Sequence, residues 1–195
     1  MSRATPAPSV PYTSGALSGL GLHDRRAELG RDLVNAAYLR GDFILSSGSR
    51  SNFYFDKYLF ESQPTILRRI AGMLAERVPD DVDRLAGPEL GAVALVTALA
   101  LETGLPFIIV RKNAKGYGTS RAVEGEVHQG ENVLMVEDVI STAGEALRAS
   151  SNVLGTGARV RSILAVVDRE QGGAERIAAA GLRLDALFRL SELPV

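Results

Sequence analysis

Two short runs of the chain, Phe107-Ile108-Ile109-Val110 and Ile163-Leu164-Ala165-Val166-Val167, contain no polar residue. A strand with one wet face alternates apolar and polar side chains, so an unbroken apolar run belongs to a strand covered on both faces. From residue 85 onward, strands alternate with helical stretches. This is the pattern of an open, mainly parallel α/β sheet with helices on both faces. The spacing predicts strands at Pro106–Val110, Asn132–Val136, Val160–Val167 and Leu184–Leu190, with Leu85-Ala86 leading into a Gly87-Pro88 turn. It predicts helices at Gly91–Glu102, ended by Gly104, and at Glu145–Leu154 and Ala174–Ala180, with a polar loop from Asn113 to about Gly130.

Ahead of the sheet, Asp24 can cap a helix running to about Arg40, where Gly41 ends it. Phe43-Ile44-Leu45 and the aromatic-rich Phe53-Tyr54-Phe55-Asp56-Lys57-Tyr58 read as strands around the polar turn Ser46–Ser51. A further helix runs from near Pro64 to about Arg77. These segments form a small N-terminal hood on the sheet. Residues 1–22 are rich in Ser, Pro, Gly and Ala without a sustained period, which predicts a flexible tail and leaves one domain over 23–195. Three prolines break this tail, so it lacks the apolar core of a secretory signal. Ala92–Leu101 is the longest apolar stretch elsewhere and is too short to span a bilayer.

Charge and composition narrow the partners. The chain has 22 Lys and Arg against 23 Asp and Glu, a net charge of −1. That balance lacks the basic excess of a general nucleic-acid binder or of a protein docking on anionic membranes. There is no cysteine, which excludes disulfides, thiolate nucleophiles and cysteine metal sites and suits a reducing cytoplasm. His23 and His128 are the only histidines, too few for a multi-histidine metal site. Lysine is scarce, 3 against 19 arginines, and two of the three, Lys112 and Lys115, fall in one short segment.

In open α/β sheets ligands bind beyond the carboxyl ends of the strands. The informative strand end here is Val133-Leu134-Met135-Val136-Glu137-Asp138-Val139-Ile140-Ser141-Thr142-Ala143-Gly144-Glu145. An apolar strand meets two adjacent carboxylates, then a turn of small residues, then a helix. Backbone N–H groups of such a turn can close around an anion at the helix N-terminus, with Ser141 and Thr142 adding hydroxyls. Glu137 and Asp138 can accept from sugar hydroxyls or the waters of a hydrated cation. Anion cradle and acid pair together suggest a sugar phosphate. The same residues would also serve as an ordinary N-cap, with acids favouring the helix dipole by about 0.3–1 kcal/mol. The segment Arg111-Lys112-Asn113-Ala114-Lys115-Gly116-Tyr117-Gly118-Thr119-Ser120-Arg121 carries four cations and two glycines. It reads either as a solvated loop or as a lid bringing charge to a polyphosphate. Gly87-Pro88-Glu89-Leu90-Gly91 is a third glycine-bearing strand-to-helix turn. No Walker A loop, dinucleotide fingerprint or nucleophile elbow is present.

These three turns, in this order, resemble the type I phosphoribosyltransferases and, more narrowly, the orotate phosphoribosyltransferase family. The resemblance covers roughly residues 30–190. It rests on Arg111-Lys112-x-x-Lys115-x-Tyr117-Gly118, Val123-Glu124-Gly125, Glu137-Asp138-Val139-Ile140-Ser141-Thr142 and Val167-Asp168-Arg169. N-terminally it rests on Phe43-x-Leu45-x-Ser47-Gly48-x-x-Ser51 and Phe53-Tyr54-Phe55. It implies transfer of the phosphoribosyl group of 5-phosphoribosyl 1-diphosphate (PRPP) to orotate, with Mg2+ accompanying the diphosphate. Carried over, Val139, Ile140, Ser141, Thr142, Ala143, Gly144 and Glu145 hold the 5-phosphate, and Glu137 and Asp138 hold the ribose hydroxyls. Glu89 and Leu90 form the diphosphate turn. Lys112 contacts the diphosphate, joined by Arg111 and Lys115 from the second subunit of a homodimer. Lys115, Glu137 and Asp138 are the implied catalytic residues. Ser141 and Arg169 contact orotate, and Tyr54 and Phe55 flank its ring. Three positions depart from the pattern: Ser46 stands where many members have lysine, Tyr117 where many have histidine, and Gly116 where an acid is common. A purine-base transferase and a non-catalytic PRPP-sensing regulator of the same fold are the alternatives.

Overall fold

The computed structural model describes residues 21–44, 48, 50–112 and 122–195. A six-stranded sheet runs in the order β5-β4-β3-β6-β7-β8. Its strands are β3 (Arg84–Pro88), β4 (Phe107–Val110), β5 (Val123–Glu124), β6 (Asn132–Ile140), β7 (Arg159–Asp168) and β8 (Arg183–Arg189). All neighbours are parallel except β5, which runs antiparallel to β4. A separate antiparallel pair joins β1 (Tyr38–Ile44) and β2 (Arg50–Phe55). The helices are α1 (Leu22–Ala37), α2 (Lys57–Glu61), α3 (Pro64–Ala75), α4 (Ala92–Thr103), α5 (Gly144–Leu154) and α6 (Gly173–Ala179). Among the described residues no helix is long and apolar enough to cross a membrane.

Two apolar clusters explain the unbroken runs. On β6 and β7, Leu134, Val136, Leu164 and Val166 pack into one cluster with Leu29 and Leu33 of α1, Ile70 and Leu74 of α3, and Leu95 and Leu99 of α4. Their neighbours Val133, Met135, Ile163 and Ala165 enter the other, with Ala146, Ala149 and Val153 of α5 and Ile177 of α6. Adjacent strand residues point to opposite faces, so a strand buried on both sides is apolar at every position. Each fully buried aliphatic side chain contributes about 1.5–3 kcal/mol. Arg84 at the start of β3 is buried but paired: its Nε and Nη2 donate to Glu131 at 2.8 and 2.9 Å. The guanidinium holds the Glu131 carboxyl at about 2, well below the usual range.

The predicted helices and strands are present among the described residues. The stretch expected as a polar loop from Asn113 to about Gly130 carries β5, and its residues 113–121 lie outside the described residues. Three further differences are informative. Helix α1 stops at Ala37 rather than near Arg40, because Tyr38 turns extended and stacks on Phe53 with ring centroids 5.2 Å apart. Gly41 therefore lies in a strand, not at a helix end. The β1–β2 register slips between Arg40 and Phe43, and a Cβ on Gly41 would meet the Phe43 ring at 3.1 Å. The aromatic strand ends at Phe55 instead of Tyr58. Asp56 caps the short α2, its Oδ1 accepting from Tyr58 N–H at 3.1 Å. Finally, β6 continues to Ile140 instead of ending at Val136, because β7 pairs with it as far as Asp168. The acid pair thus lies inside the sheet.

Strand β3 is followed by β4 on one side, while β6, β7 and β8 build outward on the other. The chain changes direction between β3 and β6. A crevice opens beyond the carboxyl ends of strands at such a point.

Candidate active site

That crevice holds a cleft of about 780 Å³. Its floor is Pro88 at the end of β3 and Glu89 and Gly91 just after it, together with Glu137–Ala146 from β6 and the start of α5; Tyr54, Phe55, Asp56 and Lys57 wall one side, and Arg169 and Gln171 approach from beyond β7.

The loop from Val139 to Glu145 combines small residues with a left-handed backbone at Ala143 (φ 60°), immediately before α5. The first residues of this eleven-residue helix, Gly144, Glu145 and Ala146, line the cleft, and the first amides of a helix have no partner within it. Neighbours hold the loop from behind. Arg176 Nη1 donates to the Thr142 carbonyl at 2.7 Å, and Arg169 N–H donates to the Ile140 carbonyl at 2.8 Å. Gly173 is required at this contact, since a Cβ there would lie 2.5 Å from the Ser141 carbonyl oxygen.

Glu137 and Asp138 are both buried, Asp138 at 1% exposure. Burial raises the pKa of each. Mutual repulsion raises Glu137 further, while Lys57 opposes the rise in both. The Lys57 ammonium lies 2.7 Å from Asp138 Oδ2. Burial alone would lower the lysine pKa, but the charge and hydrogen bond of Asp138 outweigh it and the net shift is upward. Glu61, one turn after Lys57 on α2, is also buried. Burial and the neighbouring Asp138 charge push its pKa up to about 9, so it is neutral near pH 7.

At the other end of the cleft, Arg169 lies over Phe53, its guanidinium carbon 5.4 Å from the ring centroid. Its Nε and Nη2 are buried, and among the described residues neither has an acceptor. Burial lowers its pKa from the usual arginine value. A guanidinium has five donors in a planar fork that matches a carboxylate. Two buried donors without a partner are costly in an apolar setting and are therefore rare.

The structure brings together most of the residues singled out from sequence. Tyr54, Phe55, Glu89, Glu137, Asp138, Val139, Ile140, Ser141, Thr142, Ala143, Gly144, Glu145 and Arg169 all line the cleft. Leu90, Arg111 and Lys112 do not line it. Leu90 is 72% exposed, and its peptide bond with Glu89 is cis. Arg111 and Lys112 attach to the cleft through Glu89: Lys112 N–H donates to Glu89 Oε1 at 2.8 Å, and Arg111 Nη1 is 3.8 Å from Oε2. Lys112 Nζ reaches Glu145 at 3.5 Å, and Arg148 donates to the Lys112 carbonyl. Lys115, Gly116, Tyr117 and Ser46 lie outside the described residues. Sequence reasoning missed Lys57, Glu61 and Gly91. The signal for Lys57 was present, since it is the third of only three lysines.

Comparison with known proteins bears on this geometry. No protein-family model matches the chain. An orotate phosphoribosyltransferase of Thermococcus gammatolerans is 45% identical over 164 residues, covering 83% of this chain and 87% of that protein. One from Thermococcus kodakarensis is 48% identical over 160 residues, covering 80% and 86%. Among solved structures, Mycobacterium tuberculosis orotate phosphoribosyltransferase in complex with PRPP superposes with a TM-score of 0.75 at 32% identity, covering 88% of this chain and 99% of that one.

Proposed function

The chain belongs to the orotate phosphoribosyltransferase family, and from that premise we propose how its own residues carry out the reaction. Orotate and PRPP give orotidine 5′-phosphate and diphosphate, a step of pyrimidine biosynthesis. We place it in the cytoplasm and in the single domain 23–195. The observation that carries the assignment of the base is Arg169. Its two unpartnered buried donors, beside the aromatic wall of Phe53, Tyr54 and Phe55, suit a flat base bearing a carboxylate. A purine base has no such group.

The chemistry is charge management. As the bond from ribose C1 to the diphosphate oxygen breaks, positive charge grows on the sugar and negative charge on the leaving group. The 139–145 loop holds the 5-phosphate at the α5 N-terminus. Glu137 and Asp138 fix the ribose hydroxyls, so C1 meets the orotate nitrogen in a set geometry. Arg169 and Ser141 bind orotate, with Tyr54 and Phe55 against its ring. Glu89 organises the diphosphate turn by anchoring the Lys112 backbone. Lys112, with Arg111 and Lys115 of the partner subunit in a homodimer, stabilises the leaving diphosphate. Mg2+ would enter with the diphosphate of PRPP rather than on a dedicated protein site. When bound, that ion neutralises charge on the leaving diphosphate. No side-chain nucleophile is needed.

The test is ultraviolet monitoring of orotate with PRPP and Mg2+, beside hypoxanthine, guanine and adenine. Loss of orotate absorbance that depends on both PRPP and the metal is expected. Turnover of a purine with none of orotate would overturn the assignment, and turnover of no base would favour a PRPP-sensing regulator.

A further inference from the structure

Lys57 sits where three parts of the molecule meet. It opens α2, two residues after Phe55 on the aromatic wall. Its ammonium is 2.7 Å from Asp138 Oδ2 at the end of β6. The turn after β3 closes over the pair: a Cβ on Gly91 would fall 2.0 Å from Asp138 Oδ2 and 2.4 Å from Lys57 Nζ. Glycine is needed at position 91 because this ion pair occupies the space a side chain would take.

We propose that Lys57 is a positioning residue, which turns and holds the Asp138 carboxylate for the ribose of PRPP and ties the base-binding hood to the sugar-binding floor. The Val139 N–H donates to Asp138 Oδ1 at 2.5 Å, and Lys57 engages Oδ2. The hydrogen bond on Oδ1 alone would leave Oδ2 free to swing, whereas the ion pair with Lys57 holds the second oxygen in place. Held in this way, Asp138 forms part of the cleft lining. Lys57 also supplies the positive charge among three buried carboxyl groups, Glu61, Glu137 and Asp138. Without it, Asp138 would lose the ion pair that opposes the effect of burial on its carboxylate. The lysine side chain remains about one-third exposed and lines the cleft, so it is fixed on the floor of the site and not in the core.

This inference rests on the proposed role of Asp138 toward ribose, and the experiment separates the two. Lys57→Met, Asp138→Asn and the double variant are compared in the full chain by steady-state kinetics against each substrate. Lys57→Met is expected to lower kcat/KM for PRPP by about 10- to 100-fold, the size of one charge-assisted hydrogen bond. KM for orotate should stay within about 2-fold, because α2 keeps its Asp56 cap and its apolar packing. The double variant should be no worse than Asp138→Asn alone, since the lysine acts through that carboxylate. Lys57→Gln serves as a second neutral variant if methionine costs the fold. Equal loss toward both substrates would show a structural role, multiplicative losses in the double variant would show a direct contact with PRPP, and a silent Lys57→Met would show no role; each overturns the inference. If Asp138→Asn itself leaves KM for PRPP unchanged, the ribose assignment falls first.

Discussion

Arg169→Met removes the group on which the base assignment stands, and the structure sets the size of its effect. The Nε and Nη2 donors are buried and have no acceptor among the described residues, so the substitution breaks no hydrogen bond of these two donors within the described protein. What it costs the folded state is the contact with Phe53, worth about 0.5–1 kcal/mol. That alone corresponds to a fall in Tm of roughly 1–4 °C in a domain of this size, and relief of the two unpaired buried donors offsets it, so Tm should not drop below wild type by more than this. The Arg169 N–H bond to the Ile140 carbonyl is made by the backbone and survives any side chain except proline. The phosphate loop should therefore keep its shape. Toward orotate the loss is larger. Two charge-assisted bonds at about 1.5–3 kcal/mol each, discounted for their shared geometry, give roughly 2–4 kcal/mol, or about 30- to 1,000-fold in kcat/KM for orotate. Arg169→Lys keeps the charge without the planar fork and should fall between the two. The assay is orotate consumption under saturating PRPP, then PRPP titration under saturating orotate, with Tm by differential scanning. An Arg169→Met enzyme whose KM for orotate is unchanged, or whose KM for PRPP rises as much, would refute the reasoning.

Other expectations test the floor of the site. Gly91→Ala places a Cβ on the Lys57–Asp138 pair and should lose about 1–3 kcal/mol of stability together with PRPP affinity, read from Tm and KM; an unchanged KM would separate the pair from the substrate. Glu61 carries a pKa raised to about 9 in the folded chain against 4.5 unfolded, so the folded state binds more protons between those values and stability falls as pH rises through that window. Glu61→Gln should flatten that fall and melt higher than wild type at pH 8, with the difference closing near pH 4; parallel Tm profiles would show that Glu61 ionises normally. Lys115→Ala and Asp138→Asn chains, unfolded and refolded together, should regain about a quarter of wild-type activity if the lid serves the partner's site, because about half of the dimers are hybrids with one intact site each. Activity no higher than the average of the two parents, with hybrids confirmed by native mass spectrometry, would place the lid in its own chain.

The legible parts of this fold were those where one local pattern has one physical meaning. Phe107–Val110 and Ile163–Val167 are apolar throughout because each strand feeds two clusters, and periodicity reports that directly. Gly104 ends α4 in a left-handed conformation (φ 74°), as its position after an apolar helix implied. The illegible parts were decided by partners distant in sequence. Gly41 after a helical stretch reads as a terminator, yet the helix stops earlier because Tyr38 stacks on Phe53 across a hairpin. Glu137 and Asp138 look like residues beyond a strand end, since charge inside a buried sheet is costly. They lie within β6 because β7 pairs with it to Ile140, and Lys57, 81 positions earlier in the chain than Asp138, compensates the charge there. The same holds for the site. The anion loop and the acid pair announce themselves locally, whereas the ion pair that orients Asp138 and the glycine that makes room for it exist only once β3, β6 and α2 converge. Lysine scarcity was the one local clue that pointed there. In a chain that uses arginine for ordinary charge, a compact ammonium at Lys57 suits a confined contact that a planar guanidinium would not fit, with Gly91 leaving no more room than the pair requires.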